Sequence, residues 1–380
     1  MNTAFKREEY LRYSRHFSLP QIGLEGQAKL KAASVLVIGA GGLGNPVSIY
    51  LAAAGVGHIG IVEFDTIELS NLQRQVLFTT AEVGQSKLAT AKKRLEALNP
   101  HVEVTPYDQP LSADNAEGIF AGYDLVVDGT DNFPTRYLVN DVCAFQGIPN
   151  VYGSIYQFDG QISLFHAAEG PCYRCIYPEP PPPGLVPSCA EGGVLGVLPG
   201  IVGSLQATEA IKWITGAGES LLGRLILFDA LTMTFKTVKL RKDPNCPVCS
   251  ENPTITKPID YEGFCGLSST EETVSSPGVT VHEVKEKLDR DGSLIVLDVR
   301  EDWEWDIAHL EGALPIPMNE IPNRLQELDP TKEIVVYCHT GRRSDTVANY
   351  LIREGFTQTV NMLGGIRAWT MEIDPELNPY

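Results

Sequence analysis

At 380 residues, 43% of them hydrophobic and 21% charged, the chain is long enough for about two or three domains that each bury a core. Its formal net charge of −18 argues against nucleic acid or an anionic membrane as partner. No window approaches the roughly 18 uninterrupted apolar residues of a membrane span, and residues 1–10 show no apolar run after their charges, so a cytoplasmic location is expected. Eight cysteines, four of them in Cys-x-x-Cys pairs, suit metal binding or thiol catalysis better than a disulfide framework.

The first apolar run, Val35-Leu36-Val37-Ile38, ends in Gly39-Ala40-Gly41-Gly42-Leu43-Gly44. A helix-like stretch from Val47 to Ala54 follows, stopped by Gly55, and residues 58–63 read as a strand closed by Glu63. This is a β-loop-α-β unit. Strand-like segments at 102–104 and 125–128, separated by a helix, extend it to a doubly wound parallel sheet of Rossmann-like α/β type. Glycines 39, 41 and 44 let the backbone approach a phosphate at the helix N-terminus, and Gly42 lies in the same loop. A dinucleotide enzyme would use the same loop with Glu63 on a ribose hydroxyl, so an NAD-linked oxidoreductase is the competing reading. Ser70, Asn71, Arg74, Lys87, Asp131 and Asn132 favour ATP instead, since they supply two cations for phosphate oxygens and a carboxylate suited to Mg²⁺. Such a set suits attack at an α-phosphate. For Arg74 or Lys87 alone, a solvated surface side chain is the plainer alternative.

Cys172/Cys175 and Cys246/Cys249 each have the spacing that lets both thiolates meet one tetrahedral Zn²⁺, and together they complete a closed, structural four-sulfur site. The long gap between the pairs would staple two distant segments. Residues 178–184 are proline-rich and predict an exposed crossover rather than a helix. Just beyond, Cys189 stands in Ser188-Cys189-Ala190-Glu191-Gly192-Gly193, unpaired by the zinc assignment and able to act as a loop nucleophile, although a small buried hydrophobe is the usual fate of a free cysteine. Cys143 is expected in a core. Polar, proline-bearing residues 251–278, Cys265 among them, read as a linker dividing a domain at 1–250 from a smaller α/β domain at 279–380.

In that smaller domain residues 294–298 and 333–337 are strand-like, and the second ends in Cys338-His339-Thr340-Gly341-Arg342-Arg343. Backbone N–H groups, a helix capped by Ser344 and the charges of Arg342 and Arg343 should converge on the sulfur, favouring a thiolate and a persulfide anion. A cysteine phosphatase would need a histidine before the cysteine and an arginine six positions after it. Tyr337 and Ser344 occupy those positions.

From Tyr10-Leu11-Arg12-Tyr13-Ser14-Arg15-His16-Phe17 through Asp65-Thr66-Ile67-Glu68-Leu69-Ser70-Asn71-Leu72-Gln73-Arg74-Gln75 to the second Cys-x-x-Cys, the chain resembles the MoeB/ThiF adenylyltransferases, relatives of ubiquitin-activating enzymes. Asp298-Val299-Arg300, His309-Leu310-Glu311-Gly312-Ala313, the Cys338 loop and Gly364-Gly365-Ile366-Arg367-Ala368-Trp369 resemble single-domain rhodaneses, so the whole is similar to MoeZ-type fusions. The resemblance implies ATP-dependent adenylation of the C-terminal glycine of a ubiquitin-like sulfur carrier ending in Gly-Gly, then sulfur transfer from a Cys338 persulfide to give a thiocarboxylate. It assigns Gly42 to the phosphate loop, Glu63 to the ribose (where the family commonly has Asp), Asn71, Arg74 and Lys87 to the phosphates, and Asp131 to Mg²⁺. It further implies a homodimer in which Arg15 reaches the neighbouring site, a role in sulfur transfer for Cys189, and a sulfur donor such as a cysteine desulfurase or thiosulfate. Activation of a ubiquitin-like modifier for conjugation through a Cys189 thioester is the alternative.

Overall fold

A computed structural model describes residues 5–182, 192–266, 276–290 and 294–378. Cys189 lies outside them. The chain divides into a unit of residues 1–268 and another of 269–380.

Eight strands form the sheet of the first unit: β1 (Ser34–Ile38), β2 (His58–Val62), β3 (Glu103–Tyr107), β4 (Leu125–Asp128), β5 (Asn150–Tyr156), β6 (Asp159–Phe165), β7 (Arg224–Asp229) and β8 (Thr234–Lys239). Their order is β3-β2-β1-β4-β5-β6-β7-β8. The strands at the centre, β1, β2 and β4, are buried almost throughout, which explains why they read as continuous Val/Ile/Leu runs rather than as alternating patterns. Pro106 is tolerated because β3 is an edge strand.

The five strands from β3 to β5 in sheet order are parallel, as the Rossmann pattern predicts, and β6, β7 and β8 extend that core by antiparallel pairing. The cause is local. A short turn joins β5 to β6 with Gln157 at φ 48°, and the β7–β8 turn carries Met233 at φ 56°. Turns this short can only reverse the chain, whereas a parallel neighbour needs a long crossover.

Because the strand order reverses direction between β1 and β4, the loops leaving these two strands open a crevice at their carboxyl ends. Gly129 donates its N–H to the Ile38 carbonyl at 3.0 Å, tying the β4 loop to the β1 loop. The helix Leu198–Thr215 packs across the same layer, its buried Gln206 donating to the carbonyl oxygens of Asp128 and Val151.

Within the stretch 251–278, residues 259–265 belong to the first unit's core. Asp260 caps a short helix, Tyr261–Phe264, and Tyr261 and Cys265 are buried in the same core as Tyr137 and Cys143. Polar composition conceals this anchor, which Tyr261 and Cys265 carry with Ile259 and Phe264 packed beside them; Cys143 is buried, as expected, and Cys265 is too.

The second unit is a parallel five-stranded sheet in the order β11-β10-β12-β13-β9, built from β9 (Gly278–Val279), β10 (Ile295–Asp298), β11 (Leu314–Pro315), β12 (Ile334–Tyr337) and β13 (Thr359–Met362). Separate apolar clusters cover its two faces.

Candidate active sites

The glycine loop after β1 works by close approach. Gly39 takes φ 87°, and a Cβ on Gly44 would stand 1.8 Å from the Gly39 carbonyl oxygen, so the helix Gly44–Ala54 can begin only with glycine there. That helix has no side-chain cap, which leaves its N-terminus to an anion. Two buried side chains hold the loop. Glu63, at the end of β2, accepts from the Ala40 N–H at 2.9 Å with one carboxylate oxygen and from the N–H groups of Phe64 and Asp65 with the other. Asn45 donates to the Ala40 carbonyl at 2.6 Å and accepts from the Leu77 N–H at 2.8 Å, linking the loop to the stretch just after Ser70–Gln75. Nothing in the chain order marks Asn45 for that part.

The Ser70–Gln75 segment lies over the loop: a Cβ on Gly42 would meet the Arg74 side chain at 3.7 Å, and one on Gly41 would meet Gln75 at 3.8 Å. Arg74 is half-buried and donates to the Ser70 carbonyl at 3.0 Å, while the buried Asn71 accepts from the Glu68 N–H through its amide oxygen. Ser70 itself is exposed, with its hydroxyl on Glu68.

Lys87 is only 5% exposed, with its ammonium 2.9 Å from Asp65, so the reading of a solvated surface lysine is excluded. A buried cation on one partly exposed carboxylate is poised to turn to a stronger anion.

On the other side of the crevice, Asp128 at the end of β4 accepts from the Thr130 backbone and hydroxyl, and Arg136 donates to the Thr130 carbonyl at 3.0 Å. Burial pushes the Asp128 carboxyl above its ordinary range, with the Arg136 charge 3.9 Å away opposing it. The next residue, Asp131, is exposed, and Asn132 caps the helix Phe133–Gln146 by accepting from the Thr135 N–H. Asn132 is thus occupied by the fold, whereas Asp131 is the carboxylate presented outward. Arg15 is exposed on the short helix Ser14–Phe17.

The four zinc-spaced cysteines converge. Their sulfurs lie within 4.8 Å of one another, with Cys172–Cys246 at 3.5 Å, Cys175–Cys249 at 3.4 Å and Cys172–Cys175 at 3.9 Å. Tetrahedral zinc with bonds of about 2.3 Å requires sulfurs about 3.8 Å apart, so the donor set and its spacing fit that ion. Arg174, between the first two ligands, is fully buried, pairs bidentately with Asp141 and lies between the rings of Tyr137 and Phe264. Tyr261 donates to the same carboxylate at 3.0 Å.

In the second unit Cys338 ends β12 and is 1% exposed. Its sulfur accepts from the Gly341 N–H at 3.2 Å and lies 3.4 Å from the Ser344 hydroxyl. Gly341, not Ser344, caps the start of the helix Arg342–Arg353; Ser344, on the helix's inward face, is buried beneath the sulfur. Of the two arginines, Arg342 is exposed, and Arg343 makes two 2.7 Å bonds to the buried Glu304, so Arg343 braces the loop. His339 is half-buried and Thr340 exposed. Gly365 explains the Gly-Gly motif: a Cβ there would fall 2.3 Å from the Cys338 carbonyl oxygen, to which the Ile366 N–H donates at 2.9 Å. Asp298 and Arg300 form a buried pair that also holds the Ala308 carbonyl, which makes them structural.

A nucleotide crevice at the switch point of a Rossmann-like sheet, a four-cysteine cluster and a separate cysteine loop together define an adenylating enzyme of the ThiF type joined to a rhodanese-like domain. The chain belongs to the ThiF family, whose model matches residues 13–248, and its residues 280–372 match the rhodanese-like domain. It is 48% identical over 386 residues to the probable adenylyltransferase/sulfurtransferase MoeZ of Mycobacterium tuberculosis, covering 100% of this chain and 97% of that protein. The sulfur carrier protein adenylyltransferase of Thermus thermophilus is 57% identical over 266 residues, 69% of this chain and 98% of that one. Among solved structures, Escherichia coli MccB with ATP aligns with a TM-score of 0.56 at 26% identity, over 63% of this chain and 74% of that chain.

Proposed function

We propose that the first unit uses MgATP to adenylate the C-terminal glycine carboxylate of a ubiquitin-like sulfur carrier ending in Gly-Gly, and that Cys338 of the second unit supplies the sulfur. The observation that carries this reading is the crevice itself: two glycine-bearing loops in contact, an uncapped helix, Arg74 above and a buried Lys87 held by one carboxylate. Together these receive a polyphosphate better than they receive a nicotinamide dinucleotide, which carries no leaving pyrophosphate to neutralise. The relatives named as an adenylyltransferase/sulfurtransferase and a sulfur carrier protein adenylyltransferase support this reading.

In the adenylation step the carrier carboxylate attacks the α-phosphate of ATP and pyrophosphate departs. Gly39, Gly41, Gly42 and Gly44 leave room for the phosphates, Asn71, Arg74 and Lys87 bind their oxygens, and Glu63, besides bracing the loop, accepts from the ribose. Ser70 and Asn132 support the rim. Asp131 would hold Mg²⁺, which supplies charge neutralisation where pyrophosphate leaves. In a homodimer Arg15 would reach the neighbouring subunit's site.

The terminal sulfur of a Cys338 persulfide then attacks the acyl-adenylate carbonyl and expels AMP, leaving an acyl disulfide. Attack by the Cys189 thiolate on the Cys338 sulfur releases the thiocarboxylate and joins the two cysteines in a disulfide, which an external thiol must reduce. The persulfide is refilled by a desulfurase or thiosulfate. Zinc bound by Cys172, Cys175, Cys246 and Cys249 serves structure. Among the described residues no helix is long and apolar enough to cross a membrane, and we place the reaction in the cytoplasm.

The test is ATP–pyrophosphate exchange together with intact-mass analysis of the carrier. Exchange should require a carrier ending in Gly-Gly, and Cys338→Ala should accumulate acyl-adenylate without thiocarboxylate. Exchange without a carrier, or a thiocarboxylate formed by Cys338→Ala, would overturn the reading.

A further inference from the structure

Beneath Cys338 the inventory of hydrogen-bond donors does not balance. Asn361, buried on β13, donates its amide N–H to the Gly341 carbonyl at 3.0 Å. A carbonyl can only accept, so this bond fixes which way the amide faces, and its oxygen is turned to the Ser344 hydroxyl at 2.7 Å. That hydroxyl has a single proton and two acceptors: the Asn361 oxygen, and the Cys338 sulfur at 3.4 Å. Both cannot receive it at once.

We propose that Asn361 is a positioning residue for Cys338, acting through Ser344 as a one-proton switch. While Cys338 is a thiol, its S–H can donate to the Ser344 oxygen and the hydroxyl donates to Asn361. When the sulfur is charged, as thiolate or persulfide, the hydroxyl turns to it, because a charge-assisted bond outweighs the neutral one to the amide. The amide stays in place through Gly341, so the loop keeps its shape while one hydroxyl rotates. The Gly341 N–H also donates to the sulfur, at 3.2 Å. Of the neighbouring charges, Arg343 is turned to Glu304 and Arg342 is exposed; the loop itself adds the half-buried His339. The inference rests on the reading of Cys338 as the sulfur carrier, but its test needs no sulfur donor.

The experiment measures the rate at which iodoacetamide alkylates Cys338 in the full chain near neutral pH, read from the Cys338 peptide by mass spectrometry, with circular dichroism confirming the fold. Asn361→Leu removes the competing acceptor and should speed alkylation, whereas Asn361→Asp holds the hydroxyl proton more firmly and should slow it. Ser344→Ala should slow it by about tenfold or more, the size expected for one lost hydrogen bond to a charged group. In a Ser344→Ala background the Asn361→Leu effect should vanish, and Asn361→Asp should keep only the slowing that its charge exerts through space. A merely structural Asn361 would move both variants in the same direction and would keep the Asn361→Leu effect without Ser344. Either result, or an unchanged rate in Ser344→Ala, overturns the switch. Failure of sulfur transfer with the alkylation pattern intact would instead count against the function assigned to the loop.

Discussion

One added methyl group at position 44 or 365 would break one site and spare the other. At 44 it collides with the Gly39 carbonyl oxygen, and at 365 with those of Cys338 and His339, all backbone atoms that cannot swing aside. Gly44→Ala should therefore abolish ATP–pyrophosphate exchange and leave persulfide formation on Cys338 intact, while Gly365→Ala, also strained at φ 59°, should do the reverse. Assaying both activities on both variants checks this; loss of the two together in either variant would contradict it. The carboxylates of the first site make a second residue-scale case. Asp131 is exposed and its neighbour Asp128 is buried and engaged, so Asp131→Ala should lower exchange by about a hundredfold or more through lost metal binding, without lowering the melting temperature. Exchange at the wild-type rate would remove Asp131 from the site.

At the scale of an element, the short helix Asp302–Ile307 matters through a single pair. Burial alone would raise the Glu304 carboxyl, but the two bonds from Arg343 and the Glu301 N–H outweigh it and hold Glu304 below its usual range. The sign follows: the stability this pair contributes is fully present above the ordinary carboxylate range near pH 4.5 and is lost as pH falls through the depressed value. Glu304→Gln should cost about 3 kcal/mol at neutral pH, the order found when one partner of a buried pair is removed, and the gap from wild type should close as the solution is acidified. Denaturant unfolding of the second unit, followed at two pH values, would show it. A gap that is the same at both would mean that packing, not charge, sets the role of Glu304.

At the scale of the whole molecule, the four-cysteine cluster joins segments 74 residues apart, since Cys172 meets Cys246 and Cys175 meets Cys249. Arg174 carries that staple onward to Asp141 and Tyr261, reaching the end of the first unit. Cys249→Ser should lose bound zinc by metal analysis and lower the first unit's melting temperature, while persulfide formation on Cys338 continues, because residues 269–380 have their own sheet and core. Metal-free protein of unchanged stability would refute the structural role of the cluster.

What chain order alone determined were the local and short-range patterns. The strand, glycine loop and acidic strand end were legible because each must appear in that succession for a phosphate to be reached, and the cysteine pairs because two ligands to one ion need two-residue spacing. The rhodanese loop was legible for the same reason, as its cysteine and glycine work within six residues. Tertiary structure decided what long-range packing sets. It buried Lys87 on Asp65, put Asn132 to work as a helix cap, and turned Arg343 toward Glu304. It also joined the last three strands of the eight-stranded sheet by antiparallel pairing and placed Ser344 and Asn361 under the sulfur. These outcomes share one physical cause: a side chain's partners are chosen by which surfaces the fold presses together, and residues such as Asn361 and Cys338, 23 positions apart, carry no periodicity that announces their meeting.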